Sequence, residues 1–498
     1  MLRRPAEPQW IWSPEETDNQ YVLFTKTLRV SEPDALAPGP IRIRISASHH
    51  YVLYVNGRYV ARGPIHGDPA WCHYDDLLVD WPEGEARVSL AILVHHARGT
   101  NIACIIPSRG GLLVHIEYGP YQVVSDENWK CLDLPMWRQP VAARGWALGY
   151  CEDYDARLEP DGWPGKRFTD RDMAAWPNAV AVPDAESIWG GYSPRLTPML
   201  ERANVAPVAM RAWRAPGPGA EDMADVSATC DEETLLPAGD WQPFSLEALH
   251  HALASANAVT FDLGEELVGH YMIGLEAPAG LVVEISGAEL LREGRPWIFR
   301  KGTRYSVRYT TRQGMQRFAS FSWSGFRYLH MVIRGKTSGV HVHQVGCLEK
   351  RAPLTVKQPY HTDDEALGRI VAICQHTLAI GAQEHLIDCP TREQAQYWGD
   401  GVFIAQSLWK GFGEPSYLQW YLECFLRVPI NPNGQINCIY PGTHTTLLDY
   451  SLIPLLGQRF HKENRGVYYK PAETLTKALA LKEWYDRHLN AAGLVDFD

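Results

Sequence analysis

The chain has 498 residues, 45% of them hydrophobic and 21% charged, a balance that excludes low-complexity and disordered classes and suits about three folded domains. Its net charge of −11 gives no basic footprint for a nucleic acid or an anionic membrane, and no run approaches the ~18 apolar residues of a membrane span. Ten cysteines without CxxC pairs, behind an N-terminus with Arg3 and Arg4 but no apolar run after them, read as reduced thiols of a cytoplasmic protein.

Residues 1–180 read as β. Tyr21-Val22-Leu23-Phe24 and Ile41-Arg42-Ile43-Arg44-Ile45 run apolar or alternate as strands do. Tyr51–Val55 faces Arg58–Val60 across Asn56-Gly57, the strongest short hairpin signal. Val88–Val94 and Gly111–Ile116 continue the pattern. Short strands broken by Gly, Pro and Asp predict a β-sandwich or jelly roll. The stretch from about 140 to about 224 carries Trp146, Trp163, Trp176 and Trp189 among many Pro, Gly and Asp, and reads as an insertion or linker. The chain's 18 Trp and 23 Tyr exceed what a plain core asks for; each Trp reads either as core or as a sugar-stacking face.

A second β block is expected over 225–354, with strands at Ala258–Gly264, Val268–Ile273, Leu281–Ile285, Tyr305–Tyr309 and Phe321–Leu329. His341 and His343 share one strand face but have no third ligand at a recognisable spacing, so they read as a surface pair and no metal is assigned.

From 355 the period lengthens to that of a helix. Thr362-Asp363-Asp364-Glu365 reads as a capping box before a stripe of Leu367, Ile370, Val371, Cys374 and Leu378. Further helices are expected over Val402–Trp409, after Pro415 with Leu418, Tyr421, Leu422 and Phe425, and along Leu475, Ala478, Leu481, Tyr485 and Leu489. Between the first two lies the densest chemistry of the chain: Asp388, Arg392, Glu393, Tyr397, Trp398 and Asp400 within thirteen positions. Pro390 suits a helix start, which would set Glu393 and Asp400 on one face. Two acids beside a flat apolar ring suit sugar chemistry, in which one carboxyl protonates a leaving oxygen and others hold hydroxyls. The plainer reading is an exposed helix start whose acids pair with Arg392. Cys389 has no base at a defined position and reads as a packed thiol.

The run Asp388-Cys389-Pro390-Thr391-Arg392-Glu393, followed by Tyr397-Trp398-Gly399-Asp400, resembles the signature of the bacterial α-L-rhamnosidases, glycoside hydrolase family 78. The runs Val55-Asn56-Gly57-Arg58, Phe261-Asp262-Leu263-Gly264, Gly287-Ala288-Glu289-Leu290 and Gly325-Phe326-Arg327-Tyr328 are similar to the sandwich modules of that family. The resemblance implies two jelly-roll-like β-sandwiches followed by an (α/α)6 barrel, and an inverting hydrolase of terminal α-L-rhamnosides that needs no cofactor. It also implies Glu393 as general acid, with Asp388, Arg392, Trp398 and Asp400 binding rhamnose.

The residues from 355 to 498 allow roughly six to eight helices of mean length, against twelve in such a barrel. An incomplete barrel is therefore expected, and no residue matches the family's later general base. A non-catalytic sugar-binding scaffold, and a hydrolase of L-fucosides or uronides, stay open beside the leading reading.

Overall fold

The computed structural model of the protein describes residues 7–30, 39–99, 102–357, 359–442 and 446–495. The first six residues, with Arg3 and Arg4, and the last three lie outside them. What is described is mixed: three large β-sheets, then a group of helices.

The first β region pairs a seven-stranded sheet, built around Leu112–Tyr118, Ile41–Ala47 and Trp71–Val79, with a five-stranded one. The latter runs Lys130–Asp133, Gln20–Arg29, Arg87–His96, His50–Val55, Arg58–Gly63. The continuous apolar run of Arg87–His96 has a physical reason. Val88, Leu90, Ile92 and Val94 point into one core with Ile43, Ile45, Val114 and Ile116 of the seven-stranded sheet. Ala91 and Leu93 point the other way, into a core shared with the next sheet. A strand covered on both faces cannot alternate polar with apolar. The Asn56-Gly57 hairpin forms as expected, both residues with positive φ (49° and 73°). A Cβ on Gly57 would also lie 2.0 Å from the Gly165 carbonyl oxygen, so two requirements fix glycine there.

The second region is an eleven-stranded sheet organised on the 20-residue strand Ala258–Ala277, which a bulge between Asp262 and Leu267 lets pair first with Ser324–Arg334 and further on with His341–Arg351 and Gly314–Ala319. It draws in strands from outside the expected 225–354 span. Glu201–Val205 and Ala209–Arg214, within the stretch read as linker, join it, and Glu152–Asp155 adds a parallel edge beside Ser306–Thr310. Glu152–Asp155 and Glu201–Val205 are short and mixed in polarity because they close sheet edges, which is why period-two patterning did not mark them.

Five longer helices follow: Glu365–Gly381, Trp398–Phe412, Ser416–Arg427, Pro454–Arg465 and Pro471–Arg487. Asp364 caps the first, accepting the Ala366 and Leu367 N–H groups, so the cap falls two residues after the Thr362 expected. Left-handed Gly413 and Gly466 end the second and fourth. Trp398, Trp420, Tyr417, Tyr421, Leu422 and Phe425 form the helical core, on which Trp71 of the first β region stacks through Trp420 at 5.8 Å. Two helices present apolar residues outward: Leu367, Ile370 and Ile373 are 38%, 56% and 66% exposed, and Leu475 and Leu479 are 59% and 56% exposed. No helix among the described residues is long and apolar enough to cross a membrane, and all ten cysteines are free thiols.

Candidate active site

The acidic loop occupies 382–397, between the first two long helices. It is irregular because its own side chains and its neighbours take up its backbone groups. Asp388 and Ala395 bind reciprocally: the Asp388 N–H donates to the Ala395 carbonyl, and the Ala395 N–H donates to Asp388 Oδ1, both at 2.9 Å. The fully buried Gln396 amide ties the loop down, accepting from the Leu386 N–H (3.2 Å) and Trp420 Nε1 (3.0 Å) and donating to the Tyr440 carbonyl (2.8 Å). The second sheet reaches it through Gly325, whose N–H donates to the Pro390 carbonyl at 2.9 Å. Only a glycine allows that approach, since a Cβ there would lie 2.6 Å from the Pro390 ring. The helix expected to start at Pro390 therefore starts at Trp398; Pro390 opens a turn, and Glu393 and Asp400 belong to different elements.

Two tyrosines lie between the Glu393 and Asp400 carboxyls. Glu393 Oε1 pairs with the Arg392 guanidinium at 2.6 Å, and Glu393 Oε2 accepts the Tyr397 hydroxyl at 2.7 Å. The Tyr397 ring meets Tyr450 edge-on at 6.2 Å, and the Tyr450 hydroxyl points to Asp400 Oδ2 at 3.4 Å. A chain of two phenols thus runs from Glu393 to the exposed Asp400. Gly399 makes room for it, because a Cβ there would lie 2.7 Å from the Tyr450 ring. Burial, and more weakly the Glu393 charge, push the Asp388 carboxyl up to about 6, against the pull of the Ala395 N–H. Burial also raises the Tyr450 phenol to about 12 and the Cys389 thiol to about 11, which keeps Cys389 protonated and suits the packed thiol expected.

Trp398 departs from its expected place. It has no accessible surface: its ring packs edge-on to Tyr421 at 5.2 Å, and its Nε1 donates to the Asn437 carbonyl at 2.6 Å. In this structure it supports the loop from the core side and offers no face to a sugar. One cluster escaped the sequence reading. Glu289 accepts the Thr391 hydroxyl at 3.1 Å and pairs with Arg300, while burial, then the Glu289 charge, lift Glu266 to about 7. Glu289 lies in the Gly-Ala-Glu-Leu run, so its neighbourhood was marked but its contact with the loop was not.

At the start of the loop, His385 joins His66 and Cys104 in bringing metal-binding atoms within 4.8 Å of one another, all three residues buried. Hydrogen bonds account for most of them: His66 Nδ1 meets Cys104 Sγ at 3.3 Å, and His385 Nε2 donates to the Gln394 carbonyl at 3.1 Å. The three are one ligand short of a closed tetrahedral site. His341 and His343 are both exposed.

No family model matches the chain, and no curated protein matches it by sequence. By structure it is similar to a family 78 rhamnosidase from Bacillus sp. GL1, with a TM-score of 0.81 and 19% identity over 99% of this chain and 70% of that one. The α-L-rhamnosidase from Dictyoglumus thermophilum matches with a TM-score of 0.69 and 17% identity over 98% of this chain and 52% of that one. The Streptomyces avermitilis α-L-rhamnosidase complexed with L-rhamnose gives 0.66 and 18%, over 95% of this chain and 42% of that one. The chain thus spans between 42% and 70% of their lengths. Its fold is that of these rhamnosidase structures over the part of them it spans.

Proposed function

We propose that the protein is a glycoside hydrolase that removes terminal α-L-rhamnosyl residues from glycosides or polysaccharides, with inversion at the anomeric carbon. The observation that carries this reading is the 388–397 stretch of the loop: on a rhamnosidase fold, it holds the Glu393 carboxyl between Arg392 and Tyr397, close enough to act on Asp388. Glu393 is the general acid. Asp388 and Asp400 accept substrate hydroxyls, and Arg392 positions hydroxyls and balances charge. Inversion requires a second carboxyl roughly 6.5–9.5 Å away to activate water, and no residue of this chain is assigned to that role.

In the same reading the two β regions are sandwich modules and the helices from Glu365 belong to an (α/α)6 barrel. The outward faces at Leu367, Ile370 and Ile373 and at Leu475 and Leu479 support it, since a ring of helices buries such faces against neighbours. Ten free thiols support a cytoplasmic location.

Glu393→Gln tests the assignment. It should cut hydrolysis of 4-nitrophenyl α-L-rhamnoside by about 10²–10⁴-fold while L-rhamnose binding by calorimetry persists. Wild-type turnover in that variant removes Glu393 from the role. L-Rhamnose binding without turnover in the unaltered protein favours a sugar-binding scaffold, and faster release from the L-fucoside or a uronide in an aryl glycoside panel reassigns the sugar.

A further inference from the structure

A cavity of about 490 Å³ lies between the five-stranded sheet and the second β region, and no residue of the 382–397 loop lines it. Its volume falls in the range of small-molecule sites, ~300–1,000 Å³. Its walls are aromatic: Tyr54 and Trp163, edge-on at 5.7 Å, with Trp137 and Phe321. Its charged groups are mainly cationic, three Arg to one Glu.

Arg62 is the unusual one. Among the described residues its side chain makes no hydrogen bond or ion pair; its Nε is buried without a partner, the carboxylates of Glu384 and Glu152 act on its charge only from beyond ion-pair distance, and its guanidinium lies 4.2 Å over the Phe321 ring. Arg202 lies 4.0 Å over Tyr59, with its Nε also buried and unpartnered and no carboxylate paired to it among the described residues. Arg317, exposed, adds a third guanidinium to the lining. The carboxylate in the lining, Glu159, is already engaged by Arg312 at 3.2 Å and by the Tyr154 hydroxyl at 2.8 Å. A protein of net charge −11 has thus gathered around one aromatic cavity three guanidiniums that form no ion pair among the described residues.

A buried guanidinium N–H without a hydrogen-bond partner is costly, and a guanidinium fork matches a carboxylate in two parallel hydrogen bonds. An inorganic anion would satisfy the charge but leave the aromatic walls unused, whereas a ring with an apolar face stacks on them. We infer that this cavity is a second ligand site, for a ring compound bearing a carboxylate. The ring is either a sugar acid or an aromatic acid, and both present the same two features to Arg62 and to the Trp and Tyr faces.

Trp137 and Trp163 line the cavity, so tryptophan fluorescence of the full chain reports occupancy, with calorimetry as the second readout. The probes are D-glucuronate and 4-hydroxybenzoate, each beside its neutral counterpart, D-glucose and 4-hydroxybenzyl alcohol, and inorganic phosphate. The expected result is saturable binding of one carboxylate, at least about tenfold tighter than its neutral counterpart and than phosphate. That binding should be weakened about tenfold or more in Arg62→Gln and in Arg317→Ala. Arg317 is exposed, so its variant folds whatever Arg62 contributes to the core. Glu393→Gln should leave the binding unchanged, which separates this site from the proposed active site. Absence of binding by both acids, equal binding of neutral compounds or of phosphate, or indifference to both Arg variants overturns the inference.

Discussion

Asp388 is the loop carboxyl that burial makes hold its proton more tightly. Its carboxyl sits at about 6 in the folded chain against an ordinary 3.8, mainly through burial. The folded state then holds that proton more tightly than the unfolded chain, so the associated stability is fully present below pH ~4 and is lost as pH rises through about 6. Asp388→Asn should flatten this part of the stability curve, recovering up to about 3 kcal/mol at pH 7 to 8, read by denaturant melts across pH. A variant curve parallel to that of the parent would place the shift elsewhere. If ionised Asp388 accepts a substrate hydroxyl, KM for the aryl rhamnoside should climb as pH falls through about 6. The chemistry at this scale was legible because the carboxyls, the guanidinium and Cys389 crowd one short run. The orientation of Trp398 was not, since Tyr421, Phe425 and Tyr440, which enclose its ring, lie far along the chain and nothing local marks them as its neighbours.

Among the elements, the loop between the first two long helices shows where local rules stop. A proline suits both the first turn of a helix and a tight turn, and sequence preference alone does not choose between them. Here the choice is made from outside, by the Gly325 N–H on the Pro390 carbonyl. Gly325→Ala should therefore cost about 1–3 kcal/mol by overpacking against Pro390 and Glu266, and should raise hydrogen exchange across 388–396 more than in the helices. Unchanged exchange there would mean the loop keeps its shape without the sheet. The Asn56-Gly57 hairpin, by contrast, was fully readable, since its positive φ values and its strand pairing are both local requirements. The Pro454–Arg465 helix escaped notice because its mean composition is polar and its buried residues are Pro454, Gly457, Gln458 and His461, which make no apolar stripe.

At the scale of the molecule, the five-stranded sheet is packed on both faces, and the helices lean on both β regions. Glu384, one residue before His385, is where the parts meet. Its carboxylate pairs with the buried Lys350 of the second sheet at 2.8 Å and 3.1 Å, and its carbonyl accepts the Thr197 hydroxyl at 2.8 Å. Lys350 also lies 4.1 Å over the Trp323 ring. Glu384→Gln leaves that ammonium without its counter-charge, and should lower stability by about 3–5 kcal/mol in thermal or chemical melts. A loss below about 1 kcal/mol would show that the junction does not depend on the pair. Neither partner was readable as such, because they come from different β and helical segments and meet only in the folded chain. The central claim, that Glu393 donates the proton in an inverting hydrolysis of α-L-rhamnosides, is met most directly by proton NMR of the first sugar released from 4-nitrophenyl α-L-rhamnoside. The account predicts β-L-rhamnose appearing before mutarotation, and its loss in Glu393→Gln; release of α-L-rhamnose first, or the same release from the variant, would contradict it.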